Sequence, residues 1–341
     1  MKIKWLSGFL LLTVVLMTGC GKRERAAYEL TYSVFFSPTH VQAKLAEAWA
    51  KEIGERSGGQ IRITVFSGGM LTKAEQCYQG VVDGVSDIGM SGFAYARGRF
   101  PLLELLDLPV GYPDGMSATR IANEIFFRWQ PEETADTKIM YLHAHGPGIL
   151  ASKKPVNTLA DMQGMKIRAT GFSSKIVESL GASPISMPQG DTYEALQKGV
   201  VDATFCPIEA LKGWKQGEVT KCVTDSACIG YTTAFYVTFN KQKWESLPED
   251  LQKMILQVNK EWMAKHGQAW NDADAQGTEF ARGLRHTFIQ LSAEEQGVWR
   301  EKVEPLLVDT TAKVDQRGLP GSDVLKEIQL YIAAARSGEW K

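Results

Sequence analysis

The sequence predicts an α/β protein of two lobes, and three observations carry that expectation. Strand-like and helix-like stretches alternate through the N-terminal half. A Gly-Val-Val-Asp unit occurs at Gly80–Asp83 and again at Gly199–Asp202, each time between a helical stretch and a strand-like one. Further on, a helical pattern runs for about 35 residues, on the order of 50 Å at 1.5 Å per residue, which is too long for one small domain.

Taken in order, Tyr28–Val34 alternates as a strand, and Ser37-Pro38-Thr39 turns the chain. Val41, Leu45, Ala48, Trp49 and Ile53 then share one face of a helix that stops near Ser57-Gly58-Gly59. Ile61–Phe66 reads as a strand, Ala74–Val82 as a helix and Asp87–Met90 as a short strand, an alternation that favours largely parallel pairing. Later, Met165, Ile167 and Ala169 alternate with Lys166 and Arg168; Thr170-Gly171 stops the pattern, and Phe172 follows in a loop. A helix starting at Asp191, with Glu194 placed to complete a capping arrangement, leads through the second Gly-Val-Val-Asp unit to a strand at Ala203–Cys206. Ser246 with Glu249 reads as a capping box ahead of the long helix, whose apolar stripe is Leu251, Met254, Ile255, Val258 and Trp262. That helix is expected to reach about Leu284. Ser292 with Glu295 reads as another capping box, and Val324–Ala335, set off by Leu319-Pro320-Gly321, as a last amphipathic helix.

The N-terminus addresses the compartment. Lys2 and Lys4 precede an apolar run, Phe9–Met17, that is shorter than a membrane-spanning helix. Leu16-Met17-Thr18-Gly19-Cys20 resembles a bacterial lipobox, which would make Cys20 a lipidated N-terminus on the outer side of a membrane. Secretion with plain cleavage nearby is the alternative. Residues 1–20 would then be a signal peptide and 21–27 a polar tether. A mature chain of about 320 residues exceeds what one core organises, so two domains are expected. Losing Lys2 and Lys4 takes the formal charge from −1 to −3 and gives no reason to expect nucleic acid as a partner. Cys77, Cys206, Cys222 and Cys228 remain; only Cys222 and Cys228 are close, and the sequence does not decide whether they bond.

Templates for catalysis are missing: no GxSxG, P-loop, HExxH, post-strand GxGxxG or paired CxxC occurs. His143-Ala-His145 puts two imidazoles on one strand but lacks a third ligand at useful spacing, so packing or pocket lining is the better reading, with no metal and no cofactor. Cys206, between Phe205 and Pro207, reads as a small buried hydrophobe rather than a nucleophile. Arg168 stands near the end of a strand, beside a glycine and an aromatic, where most arginines are solvated edge residues.

Order and spacing now matter more than any one motif. Ala50-Lys51-Glu52, Gly80-Val-Val-Asp83-Gly84 with Asp87-Ile88, Leu108-Pro109, Lys154-Pro155-Val156 with Ala160-Asp161-Met162-Gln163-Gly164, Lys166-Ile167-Arg168, Gly181-Ala182-Ser183-Pro184, Tyr193 through Val201-Asp202, and Asn240 before Leu247-Pro248-Glu249 occur in sequence. Together they resemble the DctP-type solute-binding proteins of TRAP (tripartite ATP-independent periplasmic) transporters, from about Tyr28 to Trp299. The resemblance implies a type II-like, two-lobe periplasmic binding protein with crossing strands and a long helix spanning both lobes. The expected partition is 28–146 plus 237–275 for lobe I, 147–236 plus 276–310 for lobe II, and 311–341 as a C-terminal segment with the final helix. It implies a soluble, non-enzymatic protein, a monomer by default, that hands a small organic acid to membrane permease subunits. It also gives Arg168 the role of gripping a ligand carboxylate, for which a planar guanidinium suits.

Departures from the family pattern point to the ligand. A second arginine usual in sugar-acid binders matches Gly148, polar residues after the first strand match Phe35 and Phe36, an acidic position matches Gly92, and an asparagine matches Cys206. With Phe93, Tyr95, Phe172 and Phe205 nearby, and with His145 and Trp214 as further lining, the expected ligand is a monocarboxylate with a flat apolar body: an aromatic acid or aromatic 2-oxo acid, aryl or indole in type. Alternatives are a four-carbon dicarboxylate or hydroxy- or sugar-acid binder, with His145 as partial second donor, the ligand module of a sensor, and an enzyme using Cys206 or the His143/His145 pair.

Overall fold

The computed structural model of the chain describes residues 26–339, so the lipobox, Cys20 and most of the tether lie outside the described residues. Two mixed sheets form, flanked by helices. The first part of the chain gives β1 (Tyr28–Val34), α1 (Val41–Arg56), β2 (Ile61–Phe66), α2 (Cys77–Val82), β3 (Ile88–Gly92), α3 (Gly115–Trp129) and β4 (Thr137–Ala144). The second lobe begins with β5 (Gly148–Ser152) and continues through β6 (Lys166–Ala169), α4 (Phe172–Ser179), β7 (Ser183–Ser186), α5 (Thr192–Lys198), β8 (Ala203–Pro207), α6 (Ala210–Gly213) and β9 (Cys222–Asp225). The chain then returns as β10 (Ala234–Asn240) and α7 (Lys241–Glu245), and finishes with α8 (Glu249–Gly283), β11 (Thr287–Gln290), α9 (Ala293–Asp315) and α10 (Gly321–Ser337).

Lobe I is the sheet β2-β1-β3-β10-β4, and lobe II is β11-β9-β5-β8-β6-β7. Read from the other end, lobe II repeats lobe I. β6 pairs in parallel with β7 and β8, as β1 does with β2 and β3. β8 is antiparallel to β5 and β5 to β9, as β3 is to β10 and β10 to β4. The two Gly-Val-Val-Asp units lead into β3 and β8, the equivalent central strands. Each sheet therefore aims the carboxyl ends of its parallel strands at one shared crevice, where ligands of open α/β sheets bind.

Two short crossings join the lobes, 145–147 between β4 and β5 and 226–233 between β9 and β10. They bond to each other: Gly148 N donates to Tyr231 O at 3.0 Å, and Thr232 Oγ1 donates to His145 O at 2.5 Å. The 35-residue α8 runs across both lobes, packing on α1, α3 and β4 of lobe I and on α6 of lobe II. Gly277 makes the second contact possible, because a Cβ there would stand 2.3 Å from Ile208 O.

Four local expectations need correction. Phe172 is not in a loop but opens α4: Gly171, at φ 56°, turns out of β6, and Ser173 Oγ accepts from Thr170 N and donates to Thr170 O. Ser246 does not cap α8; it ends α7 and donates to Lys243 O, while Pro248 precedes the first turn of α8. Asp191 makes no capping bond, and Glu194 pairs with Lys198 instead. Ser292 does cap α9, accepting from Glu295 N at 3.1 Å, but the Glu295 carboxylate turns away to accept from Leu159 N at 3.0 Å.

Candidate functional site

Arg168 is not an edge residue. β6 lies between β7 and β8, and the side chain is only 4% exposed. Its Nε and Nη2 donate to Met187 O at 3.1 and 3.0 Å, and Nη2 also donates to Thr170 Oγ1 at 2.8 Å. Thr170 Oγ1 in turn donates to Met187 O at 2.9 Å, so the guanidinium is held from one side by neutral oxygens. The Tyr95 hydroxyl adjoins it from the other lobe. Among the described residues no carboxylate forms an ion pair with Arg168. A buried cation without a counter-charge is costly, and an anion seated against it removes that cost.

Arg168 lines a cavity of about 40 Å³ at the crevice between the lobes. Eight of the residues singled out in the sequence meet there: Phe35, Phe36, Tyr95, His145, Arg168, Phe205, Cys206 and Trp214. Phe35 and Phe36 follow β1, the counterpart of the β6 end that carries Arg168. Their rings stack into a wall: Phe35 lies parallel to Phe235 and Trp214 at 5.9 and 6.1 Å, and Phe36 parallel to the His40 ring at 4.6 Å. Phe205 stacks on Tyr231 at 5.1 Å.

The other four stand outside this lining. Gly92 backs it, since a Cβ there would press on Phe235 and Tyr95 at 3.3 and 3.4 Å. Gly148 leaves room for Tyr231, whose Cε1 is 1.9 Å from where a Cβ would be. Phe93 and Phe172 line a neighbouring cavity of about 480 Å³, whose wall also includes Ala94 and Gly171.

Burial sets the protonation of the site. His145 donates from Nδ1 to Gly146 O at 2.5 Å, and burial, with Arg168 nearby, lowers its pKa to about 4, so the ring is neutral and its Nε2 is an acceptor. It is therefore not a second donor for a ligand carboxylate. Burial pushes the Cys206 thiol up to about 12, which removes it as a thiolate. His143 turns from the cavity to accept from Trp270 Nε1 at 3.0 Å and to stack on His266 at 4.6 Å. No group of three or more His, Cys, Asp or Glu side chains fit for a metal occurs among the described residues. Cys222 and Cys228 are both thiols.

The sequence reading missed Tyr231, Phe235, Trp270 and Glu209, all of which line the cavity. Glu209 is 3% exposed, and its Oε2 meets His40 Nε2 at 3.0 Å. His40 Nδ1 accepts from Gln42 N at 3.2 Å, capping α1, so the ring proton is on Nε2 and points at the carboxylate. Asp274 of α8 accepts from Glu209 N at 3.1 Å; burial, and then the Glu209 charge, push its carboxyl up to about 7.

Two equivalent lobes enclosing a cavity with one buried, unpaired cation define a two-lobed solute-binding protein. The chain belongs to the DctP family of bacterial extracellular solute-binding proteins, family 7, which it matches over residues 32–313. It is thus an extracytoplasmic TRAP solute-binding protein and not an enzyme. It is similar to the 2,3-diketo-L-gulonate-binding periplasmic protein of Escherichia coli, 28% identical over 244 residues that cover 68% of this chain and 71% of that one. A TRAP solute-binding protein of Rhodoferax ferrireducens, solved with copurified benzoate, superposes with a TM-score of 0.84 at 29% identity, covering 91% of this chain and 99% of that one. A marine metagenome protein specific for aromatic acids, solved with 3-hydroxybenzoate, gives 0.85 at 28% identity with the same coverage.

Proposed function

We propose that this protein captures an aromatic monocarboxylate and delivers it to a TRAP permease, tethered to the membrane through a lipid on Cys20. The observation that carries the reading is Arg168: a guanidinium buried among rings with no carboxylate partner among the described residues. Among the described residues it is also the only lysine or arginine lining the cavity, which favours one carboxylate over two. The relatives solved with benzoate and 3-hydroxybenzoate support an aromatic body, and the ring wall of Phe35, Phe36, Phe235 and Trp214 gives such a body its contact area.

A cavity of about 40 Å³ admits no more than about three waters, at roughly 10–15 Å³ each, and is far below the roughly 300–1,000 Å³ of small-molecule pockets. A ring-bearing acid therefore enters as the lobes part about the crossings and α8, and closure brings both walls onto it. A thermal-shift panel of benzoate, phenylacetate and indole acids against succinate and sugar acids tests the reading through ligand linkage. Stabilisation by the aromatic acids is expected; stabilisation only by succinate or sugar acids would reject it. Globomycin-sensitive processing, or a diacylglyceryl mass on the N-terminal peptide, tests the anchor.

A further inference from the structure

The cavity holds a second buried charge that a simple carboxylate does not use. Among the described residues, Glu209 is the one carboxyl side chain in its lining and Arg168 the one guanidinium, and no ion pair joins the two. Glu209 Oε2 accepts a hydrogen bond from His40 Nε2 at 3.0 Å, and its Oε1 has no hydrogen-bond partner among the described residues. The single His40 proton cannot serve both oxygens, because Nδ1 is already committed as the acceptor that caps α1. Asp274 does not serve Oε1 either: its Oδ1 accepts from the Glu209 backbone N–H, and its Oδ2 lies against Gly146. The His145 ring presents an acceptor to the cavity, not a donor. One carboxylate oxygen in a wall of Phe36, Trp214 and Trp270 is thus left to the ligand.

We infer that the ligand is a bipolar aromatic monocarboxylate: its carboxylate meets Arg168, and a hydroxyl or ring N–H on its body donates to Glu209 Oε1. This rests on the aromatic-acid reading above and narrows it to acids that carry a donor away from the carboxylate. The same geometry says how to invert the preference. In Glu209→Gln the His40 proton demands the amide carbonyl, so the amide NH2 faces the ligand, and an acceptor site becomes a donor site.

Calorimetric titration of 3-hydroxybenzoate and 4-hydroxybenzoate against the fluoro analogues of matching size separates the two readings. The native chain should favour the better-placed hydroxy acid over its fluoro analogue by about tenfold, as suits a hydrogen bond to a charged group. Glu209→Gln should abolish or reverse that ratio. A ratio within twofold in the native chain, or one unchanged in Glu209→Gln, overturns the inference and leaves the aromatic-acid reading standing. Equal binding of the whole series by native protein and Arg168→Lys overturns the Arg168 reading itself, and no binding of any member overturns both.

Discussion

The two lobes are one sheet topology used twice, yet they bring different chemistry to the crevice. Lobe I ends β1 in Phe35-Phe36 and adds Tyr95 after β3 and Phe235 from β10; every one of these is a ring. Lobe II ends β6 in Arg168 and Thr170, and follows β8 with Glu209. Equivalent strand ends thus carry contact area on one side and charge on the other. The backbone fixes where a ligand sits, and the side chains at matched positions decide what it is.

The difference is broken most severely at Arg168. Arg168→Lys should leave the fold intact by circular dichroism and weaken carboxylate binding by roughly 100-fold or more, since losing one partner of a buried pair costs about 3–5 kcal/mol and micromolar affinity totals about 8 kcal/mol. Lysine keeps a charge but cannot reproduce the fork held by Met187 O and Thr170 Oγ1. Unchanged affinity in a titration would move the anion site elsewhere.

A second test separates the lobes by pH. Burial, the first cause in each case, lowers the pKa of three imidazoles of lobe I and its crossing: His145 to about 4, His266 to about 3 and His143 as well. Each stays neutral in the native chain, while the unfolded chain takes up protons near 6.5. Their stabilisation is present above that value and is lost as pH falls towards 4. Asp274 works the other way: raised from 3.8 to about 7, it holds a proton that the unfolded chain releases, so it disfavours the native state as pH rises through that range. Asp107 and Glu133, raised by burial too, side with Asp274, and His286, lowered by burial, sides with the imidazoles. Four lowered imidazoles against three raised carboxyls leave urea unfolding with lower stability at pH 5 than at pH 7, by a few kcal/mol at most. Equal or greater stability at pH 5 would mean that the buried carboxyls outweigh the imidazoles.

Smaller again is the effect of filling Gly148. A Cβ there meets the Tyr231 ring at 1.9 Å, so Gly148→Ala should displace Tyr231 and cost about 1–3 kcal/mol of stability, as overpacking does. Ligand affinity should fall with it, because Tyr231 holds the Phe205 ring in the wall. A thermal midpoint and an affinity both equal to those of the native chain would show that Tyr231 yields without consequence.

How far the sequence revealed this site follows from where its residues lie on the chain. Arg168 was legible through the family resemblance, and Phe35, Phe36 and Cys206 as departures from the family pattern; their local pattern alone left Arg168 a solvated edge residue and Cys206 a small buried hydrophobe. The long helix and the twofold build were legible from periodicity and from the recurring Gly-Val-Val-Asp unit. Trp270 was hidden because on α8 it looks like one more core residue in an apolar stripe. Tyr231 and Phe235 lie at the second crossing, where no local period marks a residue as facing the crevice. Glu209 did leave a signal: it stands three residues past Cys206, as Tyr95 stands three past Gly92, and a carboxylate at that place contrasts with the ring opposite. Phe172 misled because a glycine that ends a strand also opens a helix when its φ is 56°, and the turn carried the ring to the neighbouring cavity.

The finest test concerns whether the rings contribute more than area. Trp214 belongs to lobe II yet stacks at 20° on Phe35 of lobe I, so it joins the two walls across the crevice. It is only half-buried, and replacing it by leucine removes the ring while keeping an apolar side chain. If stacking geometry matters, Trp214→Leu should weaken binding of a benzoate-type acid about two- to tenfold, in keeping with the 0.5–1.5 kcal/mol of an aromatic pair beyond its burial. Binding of cyclohexanecarboxylate, which has the same acid group on a puckered body, should change little. Equal losses for the two acids would mean that Trp214 supplies surface alone, and the division of labour between a ring wall and a charged wall would then rest on Arg168 and Glu209, with the aromatic side chains acting as general apolar cover.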